Sequence, residues 1–206
     1  MNGWQGAYQH FFDRIPYDRV EFAIEVGSRD GLNALQIRDH YDAHVTVLEC
    51  NPEAVAICES KLAGEPNIEF IPKAAWRENS TISFYPVVNG NMGASSLMRA
   101  NTDYPYERYE QVEIEVESIR LDSVIDRCDL LCIDAQGAEL GVLAGMGELL
   151  SDVRFIITEA QTRPMYHGAS LLTSIGGLLS TDFKLVEGRR VNDWFGDYLF
   201  VNRSEL

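Results

Sequence analysis

The stretch DLLCIDAQGAELGVLAG, residues 129–145, decides the fold because an apolar strand leads through a short turn into an apolar helix. Residues 130–133 are apolar throughout, which is typical of a strand buried on both faces of a parallel sheet. Asp134 follows directly, where a buried strand would be expected to stay apolar. An acid at this point either caps the following helix or has a chemical role at the edge of the sheet.

The rest of the chain repeats this alternation of strands and helices. The predicted strands are FAIEV (22–26), VTVLE (45–49), IEFIP (68–72), LLCID (130–134), RFIITEA (154–160), FKLVEG (183–188) and DYLFVN (197–202). The predicted helices cover residues 32–41, 52–63, 138–150 and 169–180. This order predicts one α/β domain over residues 1–206, with a mostly parallel sheet, helices on both faces and an antiparallel pair of strands at the end.

The composition is that of an ordinary globular protein, with 46% hydrophobic and 24% charged residues. The formal net charge of −15 argues against nucleic acids as partners, because no cluster of basic residues is present to neutralise phosphates. The N-terminus lacks a signal-peptide pattern, and no uninterrupted apolar run approaches the ~18 residues of a membrane span. The four cysteines lack the paired spacing of a zinc site. These features predict a cytoplasmic protein without a membrane span.

One connection, between residues 72 and 130, is longer than a crossover helix requires. Within it TISFY (81–85) and VEIEVES (112–118) alternate apolar and polar residues, as half-exposed strands do. An insertion of this length is typical of a lid or binding loop, which is expected here at about residues 86–117. Its tyrosines either stack on a substrate or fill a small core, and they are Tyr104, Tyr106 and Tyr109.

Two glycines follow the first predicted strand, in the pattern Glu25-x-Gly27-x-x-x-Gly31. A dinucleotide site would need a further glycine where this chain has Arg29, which argues against a nicotinamide-dependent enzyme. The shorter glycine pattern suits a smaller zwitterionic group. Backbone N–H groups at the start of the helix can bind its carboxylate, and Glu25 can bind its ammonium, directly or through water.

An acid also ends the second predicted strand. Glu49 can accept two hydrogen bonds from the diol of a ribose. A ribose combined with an amino-acid group describes S-adenosylmethionine, so this is the expected cofactor. Ser28, in the glycine turn, and Cys50, next to Glu49, are expected to border the same ligand.

Several segments resemble the FkbM-type family of S-adenosylmethionine-dependent methyltransferases, over about residues 20–202. They are GASSL (93–97), IRLDSVID (119–126), CIDAQGAELGVLAG (132–145) and IITEAQ (156–161). This chain departs from the family's common pattern at Gln136, where an acid is frequent, and at Cys132, where a lysine is frequent. The resemblance implies a Rossmann-like seven-stranded methyltransferase sheet, mostly parallel with an antiparallel last strand. It also implies O-methylation of a small-molecule, sugar (glycan) or lipid hydroxyl.

The same resemblance implies further cofactor contacts. Ala74 and Ala75 would lie beside the adenine, and Ser95, in GASSL, would fold over the cofactor. Gln136 leaves an alternative open, in which the chain is a catalytically weak or inactive module that binds S-adenosylmethionine without turnover.

An alcohol must lose its proton during methyl transfer, so a base is needed within hydrogen-bond reach. Asp134 ends the strand expected beside the first one and is the main candidate, both as base and as a cofactor contact. Glu159 ends the next strand at the same edge, and His167 is the third catalytic candidate. These three could instead hold a divalent cation such as magnesium, although no spacing demands it. The sequence contains no indication of the oligomeric state.

Overall fold

The structure is a computed structural model that describes residues 8–206. Its strands, in chain order, are β1 (Phe22–Val26), β2 (His44–Leu48), β3 (Ile68–Ile71), β4 (Ala74–Ala75), β5 (Ser80–Phe84), β6 (Val87–Asn89), β7 (Glu110–Gln111), β8 (Ile114–Ile119), β9 (Leu130–Ile133), β10 (Phe155–Gln161), β11 (Phe183–Arg190) and β12 (Phe195–Asn202). Its α-helices are α1 (Gln9–Phe12), α2 (Leu32–Tyr41), α3 (Pro52–Leu62), α4 (Glu139–Gly145) and α5 (Leu172–Leu179).

Seven strands form the main sheet in the order β11-β12-β10-β9-β1-β2-β3. The neighbouring pairs from β10 to β3 are parallel, whereas β12 is antiparallel to both β10 and β11. The predicted α/β fold class, with its mostly parallel seven-stranded sheet and antiparallel last strand, is therefore confirmed. The reversal of strand order next to β1 opens a crevice at the carboxyl ends of β1 and β9, where ligands bind in sheets of this type.

The sheet separates two hydrophobic clusters. Adjacent residues of one strand point to opposite faces, so Leu130 packs with Ile37 of α2 in one cluster. Leu131 packs with Val142 of α4 and Ile175 of α5 in the other. Helices therefore cover both faces, as predicted, and the central strands are apolar because neither face meets water.

The helix after β9 is shorter than predicted. It was expected over residues 138–150, but α4 ends at Gly145 and a 3-10 helix covers Gly147–Asp152. Gly147 has a φ of 55°, which an α-helix cannot continue. Asp134 lies one residue beyond the last residue of β9.

The long connection between β3 and β9, which includes the insertion, contains strands of its own. TISFY and VEIEVES pair as the antiparallel strands β5 and β8, with Ile82 opposite Val116, and β4 completes a small sheet in the order β4-β8-β5. A further antiparallel pair, β6 and β7, flanks the loop between them. Ser96 forms a β-bridge with Tyr85, and its hydroxyl donates to the backbone carbonyl of Gln136, which holds the loop at the carboxyl edge of the main sheet. None of the helices in residues 8–206 has the length and apolar character needed to span a lipid bilayer.

Glycines in α4 and α5 predict stability changes of opposite sign. A Cβ at Gly141 would overlap the indole ring of Trp76, whereas nothing lies within 4 Å of a Cβ at Gly177 in α5. We expect Gly141→Ala to reduce the free energy of unfolding by about 1–3 kcal/mol through overpacking. Gly177→Ala, the matched control, should raise it by about 0.5–1 kcal/mol through helix propensity. Urea denaturation of both variants measures this, and equal effects would contradict the packing of Trp76 on α4.

Candidate active site

A cavity of about 600 Å³ opens at the carboxyl edge of the main sheet, beneath the insertion. This volume lies within the usual range for small-molecule sites. The predicted site residues found in its lining are Gly27, Ser28, Glu49, Cys50, Ala74, Ala75, Ser95, Asp134 and Glu159. Glu25, Gly31 and His167 are absent from the lining.

Gly27 allows the strand ends that border the cavity to approach one another. Its φ is 82°, and a Cβ there would overlap the backbone carbonyl oxygen of Asp134. The Gly27 N–H donates to the Leu48 carbonyl at 2.9 Å, and the Asp134 N–H donates to the Val26 carbonyl at 2.9 Å. The turns after β1, β2 and β9 are therefore held together by backbone hydrogen bonds that leave no room for a side chain at residue 27.

Glu25 lies beneath the glycine turn, not in the cavity lining. It is fully buried and its Oε2 accepts the Ser28 hydroxyl at 2.7 Å. The Ser28 hydroxyl oxygen in turn accepts the Gly31 N–H at 3.1 Å. Burial raises the pKa of Glu25 to about 7, although hydrogen bonds from Ser28 and Asn33 lower it. The side chain of Glu25 therefore supports the turn from below, and its expected interaction with a ligand ammonium, directly or through water, stays a prediction.

Glu49 presents a carboxylate that the backbone has already oriented. Its Oε2 accepts the N–H of Arg29 at 2.9 Å, and its Oε1 accepts those of Cys50 and Asn51 at 2.8 Å each. Burial raises the pKa of Glu49 while these three N–H groups lower it. The remaining lone pairs of the carboxylate can still accept hydrogen bonds from a diol.

Arg29 occupies the position where a dinucleotide site would have glycine, yet its backbone keeps a left-handed φ of 55°. The turn therefore forms without the missing glycine. Its side chain extends towards the insertion, where its Cδ lies 3.4 Å from the Cβ position of Gly93. Gly93 belongs to the segment GASSL, so this contact brings the insertion over the glycine turn.

Gln136 joins the two predicted catalytic acids. Its Nε2 donates to Asp134 Oδ1 at 2.6 Å and to Glu159 Oε1 at 2.9 Å. Its Oε1 accepts the hydroxyl of Tyr166 at 2.8 Å. The structure thus brings Asp134 and Glu159 together, as expected from their strand ends. Tyr166, which the sequence analysis did not single out, is part of the same network.

Burial and mutual repulsion shift the titration of these acids. Burial raises the pKa of Asp134 to about 6, against the Gln136 hydrogen bond and the charge of Arg29, which lower it. Burial, and then the charge of Asp134, raise the pKa of Glu159 well above its usual value. Asp197, opposite Glu159 in the sheet register, has its pKa raised to about 7, mainly by burial. Sequence reasoning missed Asp197, and its signal was an acid within the apolar run FGDYLFV.

His167 does not join this group. Its side chain is exposed, and its backbone N–H donates to the Arg99 carbonyl at 2.9 Å. The preceding residue, Tyr166, is fully buried and forms a β-bridge with Ala100, and the chain turns at His167 and Gly168. The structure thus places His167 apart from Asp134 and Glu159, and within residues 8–206 no group of three His, Cys, Asp or Glu side chains is arranged to hold a metal ion.

The serines of GASSL use their hydroxyls within the protein. Ser95 lines the cavity, but its hydroxyl donates to the Met92 carbonyl at 2.7 Å and its oxygen accepts the Val87 N–H at 3.0 Å. The Asn51 amide also donates to it, at 3.2 Å. The hydroxyl of Ser96 donates to the backbone carbonyl of Gln136 at 2.8 Å. Both serines therefore hold the insertion against the main sheet.

The far end of the cavity has an aromatic wall. Tyr104 is buried against Met165 and Tyr166, with Tyr109 packed beside them. Tyr106 also lines the cavity but is 61% exposed. Two tyrosines of the insertion therefore belong to a small core, and the third stands at the mouth.

The fold and the cavity define a class. A Rossmann-like sheet in this strand order, with a glycine turn after β1, an acid after β2 and a ligand-sized cavity at its carboxyl edge, is the architecture of a methyltransferase. The sequence profile of the Methyltransferase FkbM domain matches residues 25–200. The chain belongs to the FkbM methyltransferase family and is an S-adenosylmethionine-dependent methyltransferase.

Known proteins similar to this chain agree with that assignment. The 2-O-methyltransferase NoeI of Sinorhizobium fredii (strain NBRC 101917 / NGR234) is 31% identical over 180 residues, which cover 79% of this chain and 72% of NoeI. Fibrillarin of Aeropyrum pernix, in complex with natively bound S-adenosyl-L-methionine, has a TM-score of 0.55 at 10% identity, covering 91% of this chain and 69% of its own. The N-methyltransferase NodS of Bradyrhizobium japonicum WM9 has a TM-score of 0.52 at 11% identity, covering 95% and 98%. The two structural likenesses show the shared fold.

The buried acids predict a stability that falls as the pH rises. Burial raises the pKa of Glu139 to about 8 from a usual value of 4.5, so between these pH values the folded state keeps a proton that the unfolded state releases. We expect the free energy of unfolding to decrease from pH 5 to pH 8. Glu139→Gln should reduce this slope by up to about 1.4 kcal/mol per pH unit. Urea unfolding across this range measures it. Glu148→Gln, at an exposed position, is the control, and equal slopes in both variants would contradict the assignment.

Proposed function

We propose that this methyltransferase acts on oxygen, methylating a hydroxyl group of a small molecule, sugar or lipid. The observation that carries the proposal is the pair of acids, Asp134 and Glu159, at the edge of the cavity between the glycine turn and the aromatic wall. A hydroxyl group needs a base to remove its proton, and a carboxylate with a raised pKa is suited to that task near neutral pH. The name of the relative NoeI, a 2-O-methyltransferase, supports the same chemistry.

The residues after β1 and β2 would hold the cofactor. The left-handed turn at Gly27 leaves the backbone open to a ligand, and Glu49 offers an oriented carboxylate for the ribose hydroxyls. Ala74 and Ala75 supply small apolar side chains for the adenine, and Ser28 and Cys50 complete this end of the cavity. S-adenosylmethionine bound there supplies an electrophilic methyl group.

Asp134 is the proposed base and Glu159 its partner. Asp134 follows β9, directly beside β1, so its carboxylate borders both the cofactor end and the aromatic end of the cavity. Glu159 lies in β10, one strand further from β1. Asp134 would accept the proton of the hydroxyl, and Glu159 would orient the acceptor molecule by accepting a hydrogen bond from a second polar hydrogen of it.

The acceptor end favours neutral ligands. Its lining combines tyrosines 104, 106 and 109 with Glu107, and Arg29 is the one basic residue among the lining residues described. Aromatic faces bind the apolar faces of sugar rings and other small molecules, whereas the acids repel phosphates and carboxylates. The insertion at residues 86–117, in the proposal, forms the lid over this end, within one domain.

Turnover tests the proposal. Purified protein is incubated with methyl-labelled S-adenosylmethionine and a panel of neutral glycans, glycolipids and small alcohols, with matched carboxylated sugars. S-adenosylhomocysteine and an O-methylated product are expected with neutral acceptors only. Asp134→Asn should lower kcat by about 10²–10⁴-fold, because it removes the base. Asp126→Asn, outside the cavity lining, is the control.

Two results would contradict this assignment. Methylation at nitrogen alone would show that the acceptor class is wrong. Cofactor binding without S-adenosylhomocysteine from any acceptor would favour a binding module instead of an enzyme.

Cofactor binding is tested separately. Glu49→Gln keeps the size of the side chain but replaces one acceptor oxygen with an NH₂ group that opposes the backbone N–H groups. We expect S-adenosylmethionine affinity, measured by isothermal titration calorimetry, to fall about tenfold or more, the equivalent of at least one charge-assisted hydrogen bond. Glu53→Gln, an exposed residue in the first turn of α3, should bind as the wild type does. Equal affinities of all three proteins would place the cofactor elsewhere.

A further inference from the structure

Gln136 has a left-handed backbone conformation, and both polar atoms of its side-chain amide form hydrogen bonds. Its φ is 49°, a left-handed conformation that is uncommon for residues other than glycine, and Gly137 follows with a φ of 99°. Such a conformation persists only where the surroundings hold it, and it is frequent at functional sites. Here the turn directs the amide of residue 136 back towards the acid that ends the strand.

Two hydroxyl groups, those of Ser96 and Tyr166, contact the oxygen atoms of Gln136. The Ser96 hydroxyl donates to the Gln136 backbone carbonyl at 2.8 Å. The Tyr166 hydroxyl lies 2.8 Å from the amide oxygen and 2.9 Å from the Ala94 carbonyl oxygen. Ser96 belongs to the insertion, and Tyr166 also contacts Ala94 of the insertion, so the position of Gln136 depends on the insertion.

The orientation of the amide follows from its partners. With Nε2 towards Asp134 and Glu159, each of its two hydrogens meets a carboxylate oxygen, and Oε1 meets a hydroxyl donor. The reversed amide would place its oxygen against two carboxylates, which is repulsive while the acids are ionised. One amide thus binds both acids at once and stabilises the charged form of each.

We propose that Gln136 is a positioning residue, which aligns Asp134 with Glu159 and keeps Asp134 unprotonated at neutral pH. The inference rests on the proposed function, since it concerns the same acids. Asp134 Oδ1 is engaged by the amide, so its Oδ2 is the oxygen left to accept a proton from the acceptor hydroxyl. Without the amide, two neighbouring buried carboxyls would hold a proton between them, and a protonated Asp134 is not a base.

The surrounding charges make this contribution necessary. Glu49 acts on Asp134 with a like charge and Arg29 with an opposite one. Glu159 is affected by the like charges of Asp134, Asp197 and Glu139. The titratable tyrosines influenced by these acids are Tyr8, Tyr104, Tyr109 and Tyr166. These acids outnumber the cations that act on them, which are Arg29 beside Asp134 and Arg189 beside Asp197, so the neutral donor at residue 136 offsets a surplus of negative charge.

The test compares Gln136→Met, which keeps the length of the side chain without its polar groups, with Gln136→Glu. Wild type serves as reference, and Gln9→Glu, at an exposed position, controls for added charge. In the methyl-transfer assay the acidic limb of the kcat–pH profile should move up by about one pH unit in Gln136→Met, from about pH 6, so that kcat falls about twofold at pH 7 and about tenfold at pH 5. Gln136→Glu should move it further, because it adds a third carboxyl. Cofactor affinity should stay within about threefold of the wild type.

An independent readout does not require turnover. Carboxyl-carbon NMR of ¹³C-labelled protein follows the titration of Asp134 directly, with Asp134→Asn identifying the resonance. A higher titration midpoint in Gln136→Met supports the proposal even if no acceptor in the panel is methylated. Tyr166→Phe, which removes the hydroxyl on the amide oxygen, should shift the midpoint in the same direction by less, and it serves if Gln136→Met does not fold.

Two outcomes would overturn the inference. One is an unchanged acidic limb and an unchanged midpoint in Gln136→Met, whatever happens to kcat, since a purely structural role lowers activity equally at every pH. The other is a loss of cofactor affinity that accounts for the whole loss of activity, which would place Gln136 in the cofactor site. Failure of the proposed function appears differently, as wild-type protein without O-methylated product.

Discussion

The close approach of three strand ends around Gly27 is the constraint on which the site depends. Backbone hydrogen bonds connect the turn after β1 to β2 and the turn after β9 to β1, and a Cβ at residue 27 would overlap the carbonyl oxygen of Asp134. Because the ends are this close, Glu49 and Asp134 flank one cavity and do not open onto separate surfaces. The proposed cofactor site and the proposed base therefore share one cavity because residue 27 is a glycine.

Burying carboxyl groups at the site costs free energy of hydration, whereas burying the apolar strands stabilises the fold. Carboxyls gathered at the edge of an apolar sheet lose hydration, so burial is the largest cause of the raised pKa values of Glu25, Asp134 and Glu159. The fold tolerates them because backbone N–H groups, hydroxyls and the Gln136 amide donate to them. Without such donors, neighbouring carboxyl groups would take up protons and become neutral, and a protonated carboxyl group is not a base at neutral pH.

Sequence patterns predicted the sheet and most of the residues that line the cavity near Gly27 and Glu49, because strand composition, glycine spacing and strand-end acids are local properties. They did not predict which acids face the cavity. Glu25 and Glu49 were both predicted to contact the cofactor, and only the burial of Glu25 and its hydrogen bond with Ser28 showed that it lies beneath the turn. His167 lies in an exposed turn after Tyr166, whose bridge to Ala100 joins distant segments of the chain. Tyr166 and Asp197 were missed because each is brought to the site by a contact with a residue distant in the chain, Gln136 for Tyr166 and Glu159 for Asp197.

By itself, the sequence determined the α/β fold, the order of its elements, the glycine turn and the acid that ends β9, because each depends on residues close together in the chain. The family pattern added the chemistry of the cofactor. Only the tertiary structure decided what Gln136 does, since its amide meets Asp134, Glu159 and Tyr166 from three separate segments. In the sequence, Asp134 is an acid directly after an apolar strand, where an apolar residue would be expected. In the folded chain it is one half of a carboxyl pair, and hydrogen bonds between distant residues hold that pair together.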